Sequence, residues 1–485
     1  SASGNGQSGN TIDLGVGTDS IRFATATDQD TVTVTDTTAT GAKRVVYEAA
    51  ATSAAITTAA GADFIEFQDS ATDLEAISTN AGNDSLRFLS SAFVTGTANL
   101  GASNDSVYAA NVVAGGGSIS GGSGADTFLV STLSYAAIYG GADVDSVNIT
   151  GSLYGATIDF GAGDESITLT VDALGSTIAG GEGNDTFVLG SLGTITNTLL
   201  QGDAGSDSFY IDRTLLGGSI SGGDGNDTIR LLASLTSTSV NAGDGSDSVI
   251  VTTTVSNSTI DMGSGDDTFD FTTSLISSTV TGGEANDSLM FSATAYYTDS
   301  SITGGAGDDT ITISGVLNNN TTVAGGGGND TLYFGSSVTG AVVSTDSGAD
   351  SVVFTSQVLG STMWGGGGTQ TLIFTDAADQ AVFSGTFGNG FISLGDGTDQ
   401  ATFNANIAGT TILGTDNEDT LSFTGQSTVV FGTKIGTGTQ ISFGANNDMA
   451  TFEQDVLAGS IYGGAGSDTF NFKADVVSGA TIDQG

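Results

Sequence analysis

Aspartate recurs at nearly constant intervals along this sequence, each time at the end of a glycine-rich segment. GGDGND at 222–227 and AGDGSD at 242–247 are two examples, and successive segments are 19 to 22 residues apart over most of the chain. Carboxylates, together with the backbone carbonyls that glycine can turn inward, are the oxygen ligands that Ca²⁺ prefers, whereas Mg²⁺ demands a stricter octahedron. The pattern therefore predicts calcium binding. The candidate ligands are Asp84, Asp105, Asp126, Asp145, Asp185, Asp207, Asp227, Asp247, Asp267, Asp287, Asp309, Asp330, Asp350, Asp399, Asp419, Asp448 and Asp468.

The same residues also have a purely structural interpretation. Gly-Asp and Asn-Asp pairs are ordinary turn formers, and a repetitive fold needs one tight turn in each repeat. Against this, the chain carries 54 acidic and only 8 basic residues, a net charge of −46. Loops stacked about 4.8 Å apart would bring like charges together. A divalent cation between successive loops would turn that repulsion into attraction, so we favour calcium and keep turn formation as the alternative.

Short strands must position these loops. Each repeat reads G-G-x-G-x-D-[S/T]-Φ-x-Φ, where Φ is apolar, and the alternation places residues such as Ile229 and Leu231 on one face of a strand. A second apolar position, such as Val240, follows about 13 residues after the aspartate. Two strands in 20 residues cannot bury a core alone, but stacked coils can. The sequence therefore predicts an all-β fold, a parallel β-solenoid with coils of about 20 residues and roughly 23 coils in all.

Several loops resemble a known calcium-binding repeat. GGEGNDTFVL at 180–189, GGDGNDTIRL at 222–231 and GGAGDDTITI at 304–313 are similar to the RTX, or hemolysin-type, repeat found in bacterial surface-layer, filament and adhesin proteins. The resemblance implies a right-handed β-roll with multiple Ca²⁺ ions held between loops, in a secreted protein. RTX repeats usually run at nine residues with a calcium loop at both turns. Here the second turn carries no aspartate, so we expect calcium along one edge only.

The regularity of the repeat divides the chain into three parts. We expect residues 1–62 to form irregular N-terminal coils, 63–369 a regular solenoid with calcium loops on one side, and 370–485 a solenoid with two nine-residue phase shifts and no C-terminal cap. The shifts are the 29-residue intervals from Gln370 to Asp399 and from Asp419 to Asp448. Each shift either moves the loop to the opposite edge or enlarges a loop on the same edge, and the sequence leaves both open.

Lysine stands once where the loop aspartate is expected. The segment GAKRVVYE at 41–48 lies 20 residues before Asp63 and places Lys43 at the aspartate position. The ammonium group of Lys43 could replace a missing cation. Equally, this coil could be a degenerate copy of the repeat.

Composition excludes several kinds of function. The chain has no histidine and no cysteine, which excludes a Ser-His-Asp triad, a Cys-His pair and an ordinary zinc site. It contains no P-loop and no G-x-S-x-G motif, and acidic pairs such as Asp266 with Asp267 fit turn or ligand roles better than catalysis, so we expect no enzyme. The negative charge argues against nucleic acid. No segment approaches the roughly 20 apolar residues of a membrane helix, so we expect no membrane insertion.

These observations favour an extracellular, calcium-stabilised structural protein that forms a surface layer, sheath or filament by homo-oligomeric or end-to-end assembly. Two alternatives remain: the repeat stalk of a large secreted adhesin, and the calcium-dependent folding or secretion part of an RTX enzyme or toxin. Extracellular calcium modules bind at about 10⁻⁴–10⁻³ M. Under every alternative we therefore expect folding to be coupled to calcium outside the cell.

Overall fold

Every regular element of the protein is a β-strand. The computed structural model describes residues 11–28, 31–33, 41–190, 193–292, 296–318, 320–374, 378–383, 387–395, 398–404, 406–414 and 418–485. Within these ranges there is no helix, and neighbouring strands pair in parallel. A search of the same ranges for helices with the length and hydropathy needed to cross a bilayer found none.

The chain forms two compact units, Ser1–Asp244 and Gly245–Gly485. Each is a parallel β-solenoid with coils of about 20 residues, and the two together contain about 22 turns. The predicted all-β parallel solenoid is therefore confirmed. Its right-handed sense and the division at residues 62 and 369 stay predictions.

Each coil contributes up to three strands. In the coil that begins at Thr259, the strand before the aspartate is Thr259–Ser264, the strand after it is Thr268–Phe271, and a two-residue strand follows at Leu275–Ile276. Each strand pairs with its equivalent one coil later. We name the three resulting sheets ladder A, ladder B and ladder C, in that order.

Ladder A comprises the strands that precede the aspartate loop over most of the chain. In the first unit its separate strands are Thr11–Asp13, Thr31–Thr33, Ala55–Thr57, Ser118–Ser123, Ala137–Ala142, Thr157–Ala162, Thr177–Glu182 and Ser239–Asp244. In the second unit they are Thr259–Ser264, Thr279–Glu284, Ser301–Ala306, Thr322–Gly327, Val342–Ser347, Gln380–Phe383, Gln400–Phe403, Thr420–Phe423, Gln440–Ser442, Ser460–Tyr462 and Thr481–Asp483.

Ladder B comprises the strands that follow the loop over most of the chain. In the first unit they are Asp19–Phe23, Lys43–Tyr47, Phe64–Phe67, Ser85–Phe88, Ser146–Ile149, Ser166–Leu169, Thr186–Leu189, Ser208–Ile211 and Thr228–Leu231. In the second unit they are Ser248–Val251, Thr268–Phe271, Ser288–Phe291, Thr310–Ile313, Thr331–Phe334, Ser351–Phe354, Thr369–Ile373, Phe387–Ser393, Ile407–Leu413, Ser427–Phe431, Met449–Phe452 and Thr469–Phe472.

Ladder C is made of the shortest strands. They are Thr27–Asp28, Ala51–Thr52, Leu153–Tyr154, Ala173–Leu174, Leu235–Thr236, Val255–Ser256, Leu275–Ile276, Tyr296–Thr298, Val316–Leu317 and Val338–Thr339. Longer strands span two ladders. They are Ala71–Ser78, Ala92–Ala102, Ile195–Ala204, Leu215–Asp224 and Val358–Trp364, which join C to A, and Ser106–Ala114 and Thr127–Ser134, which join B to C.

The core is a stack of inward-facing apolar side chains from all three ladders. Ile260 of ladder A, Phe269 and Phe271 of ladder B and Leu275 of ladder C are all fully buried. The period-two alternation predicts the first three. Leu275 marks a difference, because its position reads as part of a turn in the sequence, whereas it is the inward residue of a third strand.

The aspartate loop changes its place in the coil within the second unit. Up to Asp350 the loop leads from ladder A into ladder B, where Ser351–Phe354 follows it. The strand after Asp379, Gln380–Phe383, instead pairs with Val358–Trp364 of ladder A. The loop of Asp379 therefore leads from ladder B into ladder A, on the other side of the coil.

The loop returns to its first place after three coils. The strands after Asp399 and Asp419 continue ladder A. The strand after Asp448, Met449–Phe452, pairs with Ser427–Phe431 of ladder B. Each nine-residue shift is thus a change of edge, and the alternative of an enlarged loop on one edge does not apply.

Candidate cation sites in the aspartate loops

In most coils the aspartate that closes the loop is buried. Asp126 and Asp309 are each 1% exposed. Oδ1 of Asp126 accepts a hydrogen bond of 2.7 Å from the backbone N–H of Asp105, one coil earlier, and Oδ1 of Asp309 accepts one of 2.8 Å from the N–H of Asp287. We call this repeated arrangement the aspartate ladder. Its members are Asp63, Asp84, Asp105, Asp126, Asp145, Asp185, Asp207, Asp227, Asp267, Asp287, Asp309, Asp330, Asp350, Asp379, Asp399, Asp419, Asp448 and Asp468.

The second carboxylate oxygen, Oδ2, is buried and receives no hydrogen bond from the described residues at many of these positions. A buried carboxylate oxygen without a donor is costly, so it signals a missing proton or cation. The aspartates whose Oδ2 is buried without such a donor are Asp84, Asp105, Asp126, Asp145, Asp185, Asp207, Asp267, Asp287, Asp309, Asp330, Asp350, Asp379, Asp399, Asp448 and Asp468.

Burial makes these carboxyl groups weak acids. Desolvation raises the pKa of Asp84, Asp207 and Asp287 from 3.8 to about 7 in each case, although the accepted backbone hydrogen bond opposes the rise. Neighbouring ladder aspartates raise the pKa of Asp207 further. Such a group holds its proton to a much higher pH than an exposed carboxyl does, and a bound cation could take the place of that proton.

Glycine is required where the carboxylate packs against the backbone. A Cβ on Gly282, the first glycine of its loop, would lie 2.4 Å from Oδ2 of Asp287 and 2.3 Å from the carbonyl oxygen of Gly304 in the next coil. A carboxylate oxygen and a carbonyl oxygen from consecutive coils thus face the same small space. In six other loops the first glycine has the same surroundings. These glycines are Gly121, Gly140, Gly202, Gly222, Gly304 and Gly463.

One loop already holds a positive charge supplied by the chain itself. The side chain of Lys43 is fully buried. Its Nζ donates hydrogen bonds to the carbonyl oxygens of Gly15, at 2.8 Å, and of Gly17, and to Oδ2 of Asp19, at 2.8 Å. Lys43 pairs in register with Asp19, and its backbone N–H donates to Oδ1 of Asp63 at 2.6 Å, so it occupies an aspartate position of the ladder.

The Lys43 contacts indicate which oxygens of a loop can hold a cation. Gly15 and Gly17 lie four and two residues before Asp19, in the segment GVGTD. In the loop GGSGAD at 121–126, the corresponding oxygens are the carbonyls of Gly122 and Gly124 and Oδ2 of Asp126. Carbonyl and carboxylate oxygens are the donor set that calcium uses. The residues present therefore fit a hard cation.

No group of three or more metal-ligating side chains comes together in the described ranges of the chain. Each candidate site thus draws on main-chain carbonyls as well as on carboxylates, and six to eight oxygens around Ca²⁺ would include water. Sixteen of the seventeen predicted aspartates belong to the aspartate ladder, and Asp247 donates its backbone N–H to Oδ1 of Asp267 in the same row. Calcium binding by them stays a prediction.

A second row of polar side chains lies outside the aspartate ladder. Asn329, the residue before Asp330, is exposed, and its backbone N–H donates to Oδ1 of Asp308 in the previous coil at 2.7 Å. Its own Oδ1 accepts from the N–H of Ala349 in the next coil at 3.0 Å. These side chains accept from the following coil, whereas the ladder aspartates accept from the preceding one.

The predicted ligands leave out three aspartates of this row, Asp19, Asp63 and Asp379. Asp19 closes the loop GVGTD, where the spacing of the glycines could have identified it, and Asp63 lies one repeat, 21 residues, before Asp84. Asp379 accepts a 2.8 Å hydrogen bond from the N–H of Val358 and donates its own N–H to Asp399 Oδ1 at 2.9 Å. The signal for Asp379 was the match between DQAVF at 379–383 and DQATF at 399–403.

No protein-family model and no curated protein matches the sequence. Among solved structures, the chain is similar to a hyperactive, Ca²⁺-dependent, β-helical antifreeze protein from an Antarctic bacterium. The two are 19% identical over 59% of this chain and 80% of that chain, with a TM-score of 0.28. At that score the likeness gives no guide to function.

Proposed function

We propose that this chain is an extracellular structural protein whose solenoid is stabilised by calcium bound in the aspartate loops. The buried ammonium of Lys43 carries the proposal, because it shows that a loop of this repeat accommodates a cation between two coils. At Asp126 and Asp309, Oδ2 is the same kind of oxygen ligand, and it is buried with no such partner among the described residues.

The chain's own atoms would do most of the binding. In each loop the ladder aspartate offers Oδ2, while its Oδ1 remains bound to the N–H of the preceding coil. Glycine carbonyls of the same loop offer further oxygens, and positive φ at positions such as Gly122 (113°) and Gly124 (114°) sets the turn that exposes them. Calcium supplies the positive charge that offsets the repulsion between carboxylates of successive coils.

The calcium level outside cells fits this arrangement. Sites of extracellular modules bind at about 10⁻⁴–10⁻³ M, far above cytosolic calcium. The folded state would therefore form mainly after export. We propose assembly into a surface layer, sheath or filament because the repeat fills both units, and each coil presents much the same face as the next.

Calcium titration of the purified chain tests the stabilising role. Circular dichroism and differential scanning calorimetry in EDTA, in millimolar Mg²⁺ and in millimolar Ca²⁺ should show a large rise in melting temperature with Ca²⁺ only. Binding of many ions at saturation gives RT ln(1 + [L]/Kd) per site, about 2.7 kcal/mol at 100-fold excess over Kd. Equal melting in EDTA and Ca²⁺ would end the proposal. Negative-stain electron microscopy in the same Ca²⁺ buffer tests assembly, which dispersed single particles at all concentrations would contradict.

A further inference from the structure

Among the described loops of the first unit, the loop that ends at Asp19 differs from the others in the charge of the residue that closes the following coil. Lys43 takes the register position of a ladder aspartate, between Asp19 and Asp63. At the other described positions of this row in the first unit the residue is acidic. A single position thus changes from an anion to a cation.

Burying a lysine is expensive unless every donor is satisfied. The three hydrogens of the Lys43 ammonium match its three acceptors, the carbonyls of Gly15 and Gly17 and the Asp19 carboxylate. Two other basic side chains show the contrast. Arg22 is 63% exposed beside Glu48, and Lys473 is 52% exposed beside Glu453, so both form ordinary surface ion pairs.

We propose that Lys43 is a tethered cation that fills the metal position of the first loop, so that the coils around Asp19 and Lys43 hold together without calcium. That the loop has a metal position rests on the proposed function. That Lys43 holds these coils together without calcium is a statement about the metal-free chain and can be tested by itself. A covalently attached cation has a high effective concentration and no dependence on free Ca²⁺.

The packing below the loop supports a locally stable segment. The rings of Phe23, Tyr47 and Phe67 stack in successive coils with centroid distances of 4.4 and 4.9 Å. The N–H of Glu48 donates to the carbonyl of Phe23 at 2.8 Å, and the N–H of Asp19 donates to that of Ala42 at 3.2 Å. These two amides report directly on whether the coils are closed.

Two substitutions separate the cation from the shape of the side chain. Lys43→Met keeps an unbranched apolar side chain of nearly the same length and removes its charge. Lys43→Asp restores the repeat pattern and with it the residues of a calcium loop. Lys473→Met is the matched control, since it removes an exposed ion pair elsewhere in the chain.

Hydrogen–deuterium exchange with segment resolution is the main measurement. In EDTA, we expect the amides of Asp19 and Glu48 in the unsubstituted chain to exchange on the order of ten-fold more slowly than in Lys43→Met, the effect of one lost charge-assisted bond. The amide of Gly124, which donates to the carbonyl of Ala142, should respond to Ca²⁺ but not to either substitution at Lys43. Lys473→Met should leave all three amides unchanged.

Ion counting by native mass spectrometry is the second measurement. We expect Lys43→Asp to bind one more Ca²⁺ than the unsubstituted chain, and its Asp19 amide to gain protection only in Ca²⁺. The same ion count in both chains, or equal exchange of Lys43→Met and the unsubstituted chain in EDTA, would overturn the inference. If no chain binds Ca²⁺ at all, the proposed function fails, while the EDTA comparison still decides the role of Lys43.

Discussion

Replacing one ladder aspartate by asparagine should stabilise the metal-free chain and remove part of the stabilisation that calcium gives. In Asp287→Asn, Oδ1 can still accept the N–H of Asp267, which is a 2.9 Å bond in the structure. The substitution replaces only Oδ2, by an NH₂ group. That group can donate toward the carbonyl oxygen of Gly304, which lies across the small space beside Gly282. The substitution therefore tests the charge while keeping the shape and the ladder bond.

The size of the effect without metal follows from burial. The pKa of Asp287 is raised from 3.8 to about 7. At pH 8 a carboxyl with such a shift opposes folding by about 4 kcal/mol, at the rate of about 1.4 kcal/mol per pKa unit, and this is an upper limit. In EDTA we therefore expect Asp287→Asn to be more stable than the unsubstituted chain, by up to that amount.

In calcium this advantage of the variant should shrink. The variant loses a charged ligand, and weakening one site that is otherwise saturated 100-fold over its Kd costs up to about 2.7 kcal/mol. Urea unfolding at pH 8, followed by circular dichroism in EDTA and in millimolar Ca²⁺, measures both differences. Asp270→Asn is the control, because Asp270 lies on the outer face of the adjacent strand, where a surface change is worth about 0.5 kcal/mol or less.

The same difference in stability between the variant and the unsubstituted chain in both buffers would refute the reasoning. If Asp287→Asn destabilises the chain equally in EDTA and in Ca²⁺, the aspartate acts through its shape and hydrogen bonds, as a turn former would. In that case the unsatisfied Oδ2 atoms would carry protons and not metal, and the calcium proposal would lose its chemical basis.

Three further outcomes follow from the same geometry. The pKa values of Asp84 and Asp207 lie near 7 in the folded chain and near 3.8 in the unfolded chain. These groups therefore stabilise the metal-free fold most below about pH 4 to 5, and that stability is lost as the pH rises through 7. Melting in EDTA should occur at a higher temperature at pH 5 than at pH 8, and Ca²⁺ should shrink that difference. In Gly304→Ala the new Cβ would lie 2.4 Å from Asp309 Oδ2, so the free energy of unfolding in urea should fall by about 1–3 kcal/mol. Gly367 has open space around it, so Gly367→Ala should lose less than about 1 kcal/mol. Equal losses in the two variants would contradict the packing argument. Arg213→Met should destabilise the first unit by about 2–4 kcal/mol, equally in EDTA and in Ca²⁺. The reason is that the buried guanidinium donates hydrogen bonds to the carbonyls of Leu169 and Gly190, both at 2.7 Å, and to that of Val171. A loss of stability that depends on calcium in calorimetry would show that this reasoning is wrong.

Much of the fold can be predicted from the sequence because each coil of a solenoid repeats the same short pattern of residues. The apolar alternation at Phe269 and Phe271 identifies an inward-facing strand, and the interval between loops gives the length of the coil. Ladder C was not predicted, since two-residue strands such as Leu275–Ile276 are too short for any period to show. Only the stacking of equivalent residues in neighbouring coils makes them strands.

The candidate sites were predictable in identity but not in geometry. Regular spacing selected the ladder aspartates, yet it could not show that one oxygen binds the N–H of the preceding coil while the other lacks a donor. The role of Lys43 was also undecided between a substitute cation and a degenerate repeat. The choice needed the positions of Gly15 and Gly17, which belong to a coil 26 to 28 residues earlier in the chain.

The two changes of edge in the second unit show that the corners of this coil are interchangeable. A nine-residue step carries the loop of Asp379 to the opposite corner, and ladders A and B continue without a break. The backbone of either corner therefore tolerates the acidic loop, and the side on which it appears is set by the length of chain between loops. For a protein engineer, inserting or deleting half a coil becomes a way to choose which flank of the solenoid carries negative charge while the hydrophobic interior keeps its register.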